Sequence, residues 1–245
     1  MRLVSAEVLK IWTAPRTVLG ILLAELAIIA IGTASTIDSD TSSNGPEGII
    51  FPKPPLERDL VDVIDASLLF ALILGVLIVT WEYRHGTITQ TFLVTPLRER
   101  VLAAKLLVGG LAGAALVVPA LLLMLVIAEI WVGDRLDFSG HDWQLVGRIF
   151  LAAAIVAALG VEIGACTARQ LGAIIVAFAW VAFAEPALSI WGTLGPYLPL
   201  HAIDAVLSGH NDNSISFGRG LLTIAVYLVA LGALAGWLTR RRDIT

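Results

Sequence analysis

Six long apolar runs organise the chain, at residues 17–37, 61–81, 106–131, 148–166, 172–191 and 219–238. Wound as α-helices rising about 1.5 Å per residue, each is long enough to cross a hydrocarbon layer of about 30 Å. The pattern predicts an all-α, polytopic membrane protein, one transmembrane domain over 1–245. Only "TARQL" separates the fourth and fifth runs, so these form a tight helical hairpin. The first run carries Glu25 mid-span and lacks a small-x-small cleavage site, which favours an uncleaved helix over a signal peptide.

Polar positions between the runs fall into three kinds. Residues 1–16 place Val4, Val8, Ile11 and Trp12 on one side of a helical wheel and Arg2, Ser5, Thr13 and Arg16 on another. A helix lying in the membrane interface fits this moderate amphipathicity, with Pro15 turning the chain into the first span. A plain basic anchor fits it equally well. Segment 38–60 is rich in Ser, Gly, Pro and acids and reads as irregular and exposed. Segment 192–218 alternates breakers with apolar residues, as either a short helix dipping back toward the membrane or a surface loop does.

The third kind is the polar island "WEYRHGTITQTFLVTPLRERVLAAK", residues 81–105. A solvated connector needs only about five residues, so this length and chemistry predict a contact surface. Gly86 breaks the second helix, and Thr87 can cap a new short one with Ile88 and Phe92 at i, i+4 on one face. Thr95-Pro96 ends that helix, and Arg98, Arg100 and Lys105 lead back to the membrane. Such a helix is a docking element, with Ile88 and Phe92 at its centre and Arg98 on its rim.

Composition agrees with the apolar pattern. The chain is 58% hydrophobic and 15% charged, with mean hydropathy +0.87, where a soluble domain carries roughly a quarter charged residues. The net charge of −4 says little, because charge is sorted by location. With both ends cytoplasmic, eleven basic residues, among them Lys10, Arg84, Lys105 and Arg169, fall inside. Five fall outside: Lys53, Arg58, Arg135, Arg148 and Arg219. The positive-inside rule therefore predicts a multi-pass plasma-membrane protein with cytoplasmic termini and a cytoplasmic 82–105 segment. Cys166, the single cysteine, cannot form an internal disulfide and reads as a small residue at a helix end.

Catalytic signatures are lacking. There is no G-x-x-x-x-G-K-[ST] loop, so the chain itself is not expected to bind ATP. There is no H-E-x-x-H, and His141, His201 and His210 read as solvated loop residues. Intramembrane acids are costly and need a reason. Glu25, Glu162 and Glu185 are the candidates, each read either as functional or as a helix–helix hydrogen bond, whereas Glu129 can reach the headgroups. Glu185 precedes Pro186, where a kink frees backbone carbonyls. Gly109 with Gly113, Gly160 with Gly164, and Gly232 with Gly236 have the spacing that lets membrane helices approach closely.

The island resembles a motif of the permeases of type-2 ABC exporters, close to E-x-x-H/R-G-T-[ILV]…L-x-T/S-P-L…[AG]-K. Glu82, His85, Gly86, Thr87, Ile88, Leu93, Thr95, Pro96, Leu97 and Lys105 match it in order. The resemblance implies that 82–105 is a coupling helix fitting a groove on a separate ATPase subunit, which binds the ATP and Mg; this chain needs no cofactor. It implies a complex of two permeases, identical or different, with two ATPases, and a translocation path lined by Glu25 and Glu185 rather than Glu162. Nucleic acid is not an expected partner; the lipid bilayer is. Two other classes stand beside this one: a proton-coupled secondary transporter using the intramembrane glutamates, and a membrane scaffold. The first of these often shows an inverted repeat, and none is evident.

Overall fold

The computed structural model describes residues 2–13, 15–42, 56–95, 97–133, 136–190, 192–208 and 215–241. These residues form a helical bundle with no β-strand among them. α1 (Arg2–Thr13) is followed by α2 (Pro15–Ser42), which starts on a proline as helices favour. α3 (Leu56–Val63) runs through a 3₁₀ turn, Ile64–Ala66, into α4 (Ser67–Arg84). Then come the short α5 (Ile88–Val94), the long α6 (Arg98–Trp131) and α7 (Gly140–Thr167). α8 (Gln170–Ala179) continues through a π-helical turn, Trp180–Ala184, into α9 (Glu185–Ser189). α10 (Pro199–Ser208) and α11 (Phe217–Arg241) complete the chain.

Among the described residues, six helices are long and apolar enough to cross a membrane: Arg16–Ser39, Leu56–Arg84, Arg98–Trp131, Gly140–Thr167, Gln170–Ser189 and Phe217–Arg241. Each overlaps one of the six apolar runs. The chain is thus an all-α, membrane-embedded protein.

α7 is the pivot of the bundle, packing most extensively on α4 and then on α6. The most apolar window of α7 is 61% buried, against 11% in α11, so α11 lies at the periphery. Without a hydrophobic driving force between helices in lipid, close backbone approach has to supply the contact. Glycines permit it here. The faces of Gly160 and Gly164 lie against the backbone of α4 at Leu72 and Val76, and Gly75 of α4 lies against the Ala157 carbonyl of α7. Gly113 brings α6 onto Ala153 and Ala157. Gly236 meets nothing within 4 Å, so the expected packing role of that glycine is not realised in this chain.

The main core gathers Ile29 and Ile37 of α2, Leu60 and Val61 of α3, Val117, Ala120 and Met124 of α6, and Ile149 and Ala153 of α7. Along α2 the buried positions are Glu25, Ile29, Thr33 and Ile37, a strict four-residue stripe that turns one face inward. α10 packs on α11 and α7 beneath a second cluster of Ala202, Ile203 and Val206 with Ile224. A short helix therefore stands in the 192–218 segment, with Ala202, Ala205 and Val206 fully buried.

α7 is started by a capping box. The Ser139 hydroxyl accepts from the Asp142 backbone N–H, and the Asp142 carboxylate accepts from the Ser139 N–H at 2.8 Å. It ends where Ala168 adopts the left-handed conformation, φ 53°, which reverses the chain into α8.

Candidate functional site

The end of α4 is a complete Schellman turn. The Gly86 N–H donates to the Tyr83 carbonyl and the Thr87 N–H to the Glu82 carbonyl, at 3.4 and 3.0 Å. The turn needs a residue with positive φ at its C-terminal side, and Gly86 has φ 68°. Its outcome is to fold α5 back beside the end of α4. Thr91 of α5 is thereby placed where its hydroxyl donates to Glu82 Oε2 at 3.2 Å.

Glu82 is the centre of a four-charge cluster. Its Oε1 accepts from Lys105 Nζ at 2.6 Å and from Lys10 Nζ at 2.7 Å. Lys105 also donates to Glu7 Oε2 at 2.7 Å, and Lys10 to Glu7 Oε1 at 2.6 Å. Two carboxylates and two ammoniums close a ring that ties α1, α4 and α6 together, and Thr91 adds α5. Glu7, Glu82 and Lys105 are all buried, while Lys10 is partly open. Burial opposes the charge of Lys10, but hydrogen bonds and charges from Glu82 and Glu7 outweigh it and hold the ammonium above the ordinary lysine range. A cavity of about 350 Å³ opens onto the cluster from the apolar side, walled by Val18, Ile21, Leu74, Ile78 and Trp81.

α1 turns a charged side toward the rest of the chain. Its inward positions are Glu7 and Lys10, while Val8 and Leu9 are exposed. Neither Glu7 nor Thr91 stood out in the sequence. The signal for Glu7 was its i, i+3 spacing from Lys10, which puts both charges on one side of the wheel at the edge of the apolar face.

The island residues are deployed as follows. His85 is exposed, stacked on Trp81 with centroids 4.9 Å apart, and its Nδ1 lies 2.9 Å from the Trp81 carbonyl. Thr87 occupies the N-cap position of α5, but its backbone is right-handed helical (φ −79°, ψ −11°) rather than extended, and its side chain makes no capping hydrogen bond. Thr95 caps the other end, its N–H donating to the Thr91 carbonyl at 2.9 Å. Pro96 and the side chain of Phe92 lie outside the described residues. Ile88 is 6% exposed and faces the chain's own interior, so it is not on an outward docking face. α5 instead presents Thr89, Gln90 and Leu93, the last 79% exposed. Arg98 is not a free rim residue either: its guanidinium donates to the carbonyls of Thr239 and Arg240, closing the open C-terminal end of α11.

The three intramembrane glutamates have different surroundings. Glu185 is 1% exposed and fully engaged. Its Oε1 accepts from the Leu200 and His201 backbone N–H groups at 2.6 and 3.1 Å, and Oε2 accepts from Trp180 Nε1 at 2.8 Å. His201 Nδ1 stands 3.2 Å from Oε1. The carboxylate therefore occupies the N-terminus of α10, where the first amides are otherwise unsatisfied. The π turn just before it sends the Glu185 N–H to the Trp180 carbonyl and makes room for Pro186. Glu25 is wholly buried beside the Ser67 hydroxyl, the two groups lying outside good hydrogen-bond geometry. Glu162 is 1% exposed, with Oε2 unbonded and Oε1 against Gly232 of α11. Glu25 and Glu185 are thus not brought together into one site. No metal-binding group of histidine, cysteine and acid side chains occurs among the described residues. Compared with models of known families and with curated proteins, the chain matches none.

Proposed function

We propose that this chain is the membrane-spanning permease subunit of an ATP-driven exporter, working with a separate ATPase that docks at 82–105. The observation that carries the reading is the seating of α5. A seven-residue helix too short to be stable alone is fixed to the end of one membrane-crossing helix, α4, through the Schellman turn and the Thr91–Glu82 hydrogen bond, while its polar side and Leu93 stay open. Rigid attachment to buried charges lets force applied at α5 reach α1, α4 and α6 together. In this role Glu82, Lys105, Glu7 and Lys10 transmit, Gly86 sets the angle of α5, and Leu93 meets the ATPase. Glu185 acts as a staple for α10 rather than as a path-lining group.

A second reading, a proton-coupled transporter, draws on the buried intramembrane carboxyls of Glu25 and Glu162. An ionisable residue within a membrane-crossing helix is a functional-site candidate by default. Proteoliposomes separate the two. Under the exporter reading, the full chain alone moves no substrate under a pH gradient and binds no nucleotide, and it acquires ATP-driven transport with its ATPase. Transport driven by a pH gradient without any ATPase overturns that reading in favour of the second.

A further inference from the structure

A hollow of about 520 Å³ lies between the end of α4 and the turn from α7 into α8, lined by Tyr83, Arg84, Arg169, Gln170, Leu171 and Ile174 with Ala168 at its base. Its chemistry is unlike that of the charge-balanced cluster around Glu82. Two guanidiniums line it and no acidic side chain does. Arg84 is held in place by Gln170, its Nη1 donating to Oε1 at 3.0 Å. Arg169 is exposed, and the left-handed turn at Ala168 sets it at the N-cap of α8, whose start has no side-chain cap. The positive end of the α8 dipole thus adds to the two arginines.

The hollow is not an isolated basic patch. From Leu171 a strip of exposed apolar side chains, Leu171, Ile175 and Phe178, runs along α8 at helical spacing, 72%, 56% and 64% exposed. α8 is the start of a helix apolar enough to cross a membrane, so the hollow stands at headgroup depth and the strip descends among the acyl chains. A ligand that satisfies both parts carries an anionic head and hydrocarbon tails. Basic pockets between membrane helices are built for such heads, and planar guanidiniums pair with phosphate oxygens in bidentate fashion.

We infer that the hollow between α4 and α8 is a binding site for an anionic phospholipid, its phosphate held by Arg84 and Arg169 and its tails laid along Leu171, Ile175 and Phe178. The inference requires only that the chain spans a bilayer, not that it works with an ATPase. Occupancy ties the end of α4 to the α7–α8 turn through a shared anion, in addition to the Arg84–Gln170 bond.

The test uses the full-length protein in neutral detergent, with phosphatidylglycerol, phosphatidylcholine and inorganic phosphate added separately. Native mass spectrometry counts retained lipid and a thermal melt reads stabilisation. Phosphatidylglycerol is expected to be retained and to raise the melting temperature, while phosphatidylcholine and inorganic phosphate do neither. Arg169→Gln is expected to weaken phosphatidylglycerol retention by roughly tenfold, the loss of one strong charged pair, without changing the melt in the absence of lipid. Arg219→Gln, at an exposed arginine elsewhere, is expected to change neither. Equal retention of the two lipids, or unchanged retention by Arg169→Gln, overturns the site. Stabilisation by inorganic phosphate equal to that by phosphatidylglycerol overturns the lipid assignment in favour of a free anion.

Discussion

Lys105 Nζ lies 2.6 Å from Glu82 Oε1, with the two side chains 3% and 6% exposed. One partner stands at the end of a membrane-crossing helix and the other near the start of the next, with α5 between them in the chain. A buried ion pair is weak evidence for net stability, because desolvating both ions offsets their attraction. Its better-attested role is to specify one arrangement. Here it fixes the register of α4 against α6, and with Glu7 and Lys10 it fixes α1 against both.

Removing one member of the cluster should therefore hurt more than removing a matched pair. Glu82→Gln leaves Lys105 and Lys10 to share Glu7 alone, an excess positive charge in the buried cluster, and should cost about 3–5 kcal/mol. Glu82→Gln with Lys105→Met should cost clearly less than the sum of the two single changes. A double-mutant cycle on thermal unfolding reads the coupling, and strict additivity would sink the idea of a cooperative ring. The Lys10 contribution has a defined pH sign: a raised folded-state pKa means stability present below the ordinary lysine value of 10.5 and lost only as pH rises past the folded value. The Lys10-dependent part of stability should thus be flat across neutral pH.

The membrane-spanning helices were legible because lipid leaves no alternative: backbone polar groups must be satisfied within each span and the side chains must be apolar. Gly86 was legible for a local reason, since the turn it makes is written in its own neighbours. The Glu82 cluster was not, because its members stand at 7, 10, 82 and 105 and meet only through helix packing. The i, i+4 pattern of Ile88 and Phe92 names a face of α5 but not the direction in which that face points, and Ile88 faces inward. Gly75 was missed because the contact that requires a glycine is a carbonyl on a distant helix, at Ala157.

Glu185 offers a second test of structural against path-lining roles. Glu185→Gln keeps one carbonyl oxygen for the Leu200 and His201 amides but turns an amide donor toward Trp180 Nε1, or the reverse. Either choice leaves a buried donor unmatched, at a cost of about 1–3 kcal/mol. α10 should become sensitive to protease added to the purified protein, and melting should fall. If α10 stays protected and the melt is unchanged, the carboxylate is not the staple of that helix.

The glycine contacts predict a sharp contrast. A methyl at position 160 meets the backbone of α4 at Leu72, which cannot rotate away. Gly160→Ala should cost about 1–3 kcal/mol by overpacking the α4–α7 seam. Gly236→Ala meets nothing within 4 Å and should gain up to about 1 kcal/mol from helix propensity. Equal melts for the two variants would mean that the α4–α7 seam is looser than its geometry.

The docking role of α5 can be separated from its folding, because its inward and outward residues differ. Ile88 is 6% exposed and Leu93 79%. Ile88→Ala removes buried methylene groups and should cost about 2–5 kcal/mol, read as a lower melt of the isolated chain. Leu93→Asp adds a carboxylate already in solvent, so the isolated chain should melt as before. Against an ATPase groove the same carboxylate has to be desolvated without a partner, a cost of several kcal/mol. At about 1.4 kcal/mol per tenfold, that removes co-purification of the ATPase. Leu93→Asp is therefore expected to abolish the complex while sparing the permease, and Ile88→Ala to weaken the permease itself. A Leu93→Asp protein that still forms a coupled, ATP-hydrolysing complex shows that α5 does not dock through this face, and the exporter reading then loses its main support.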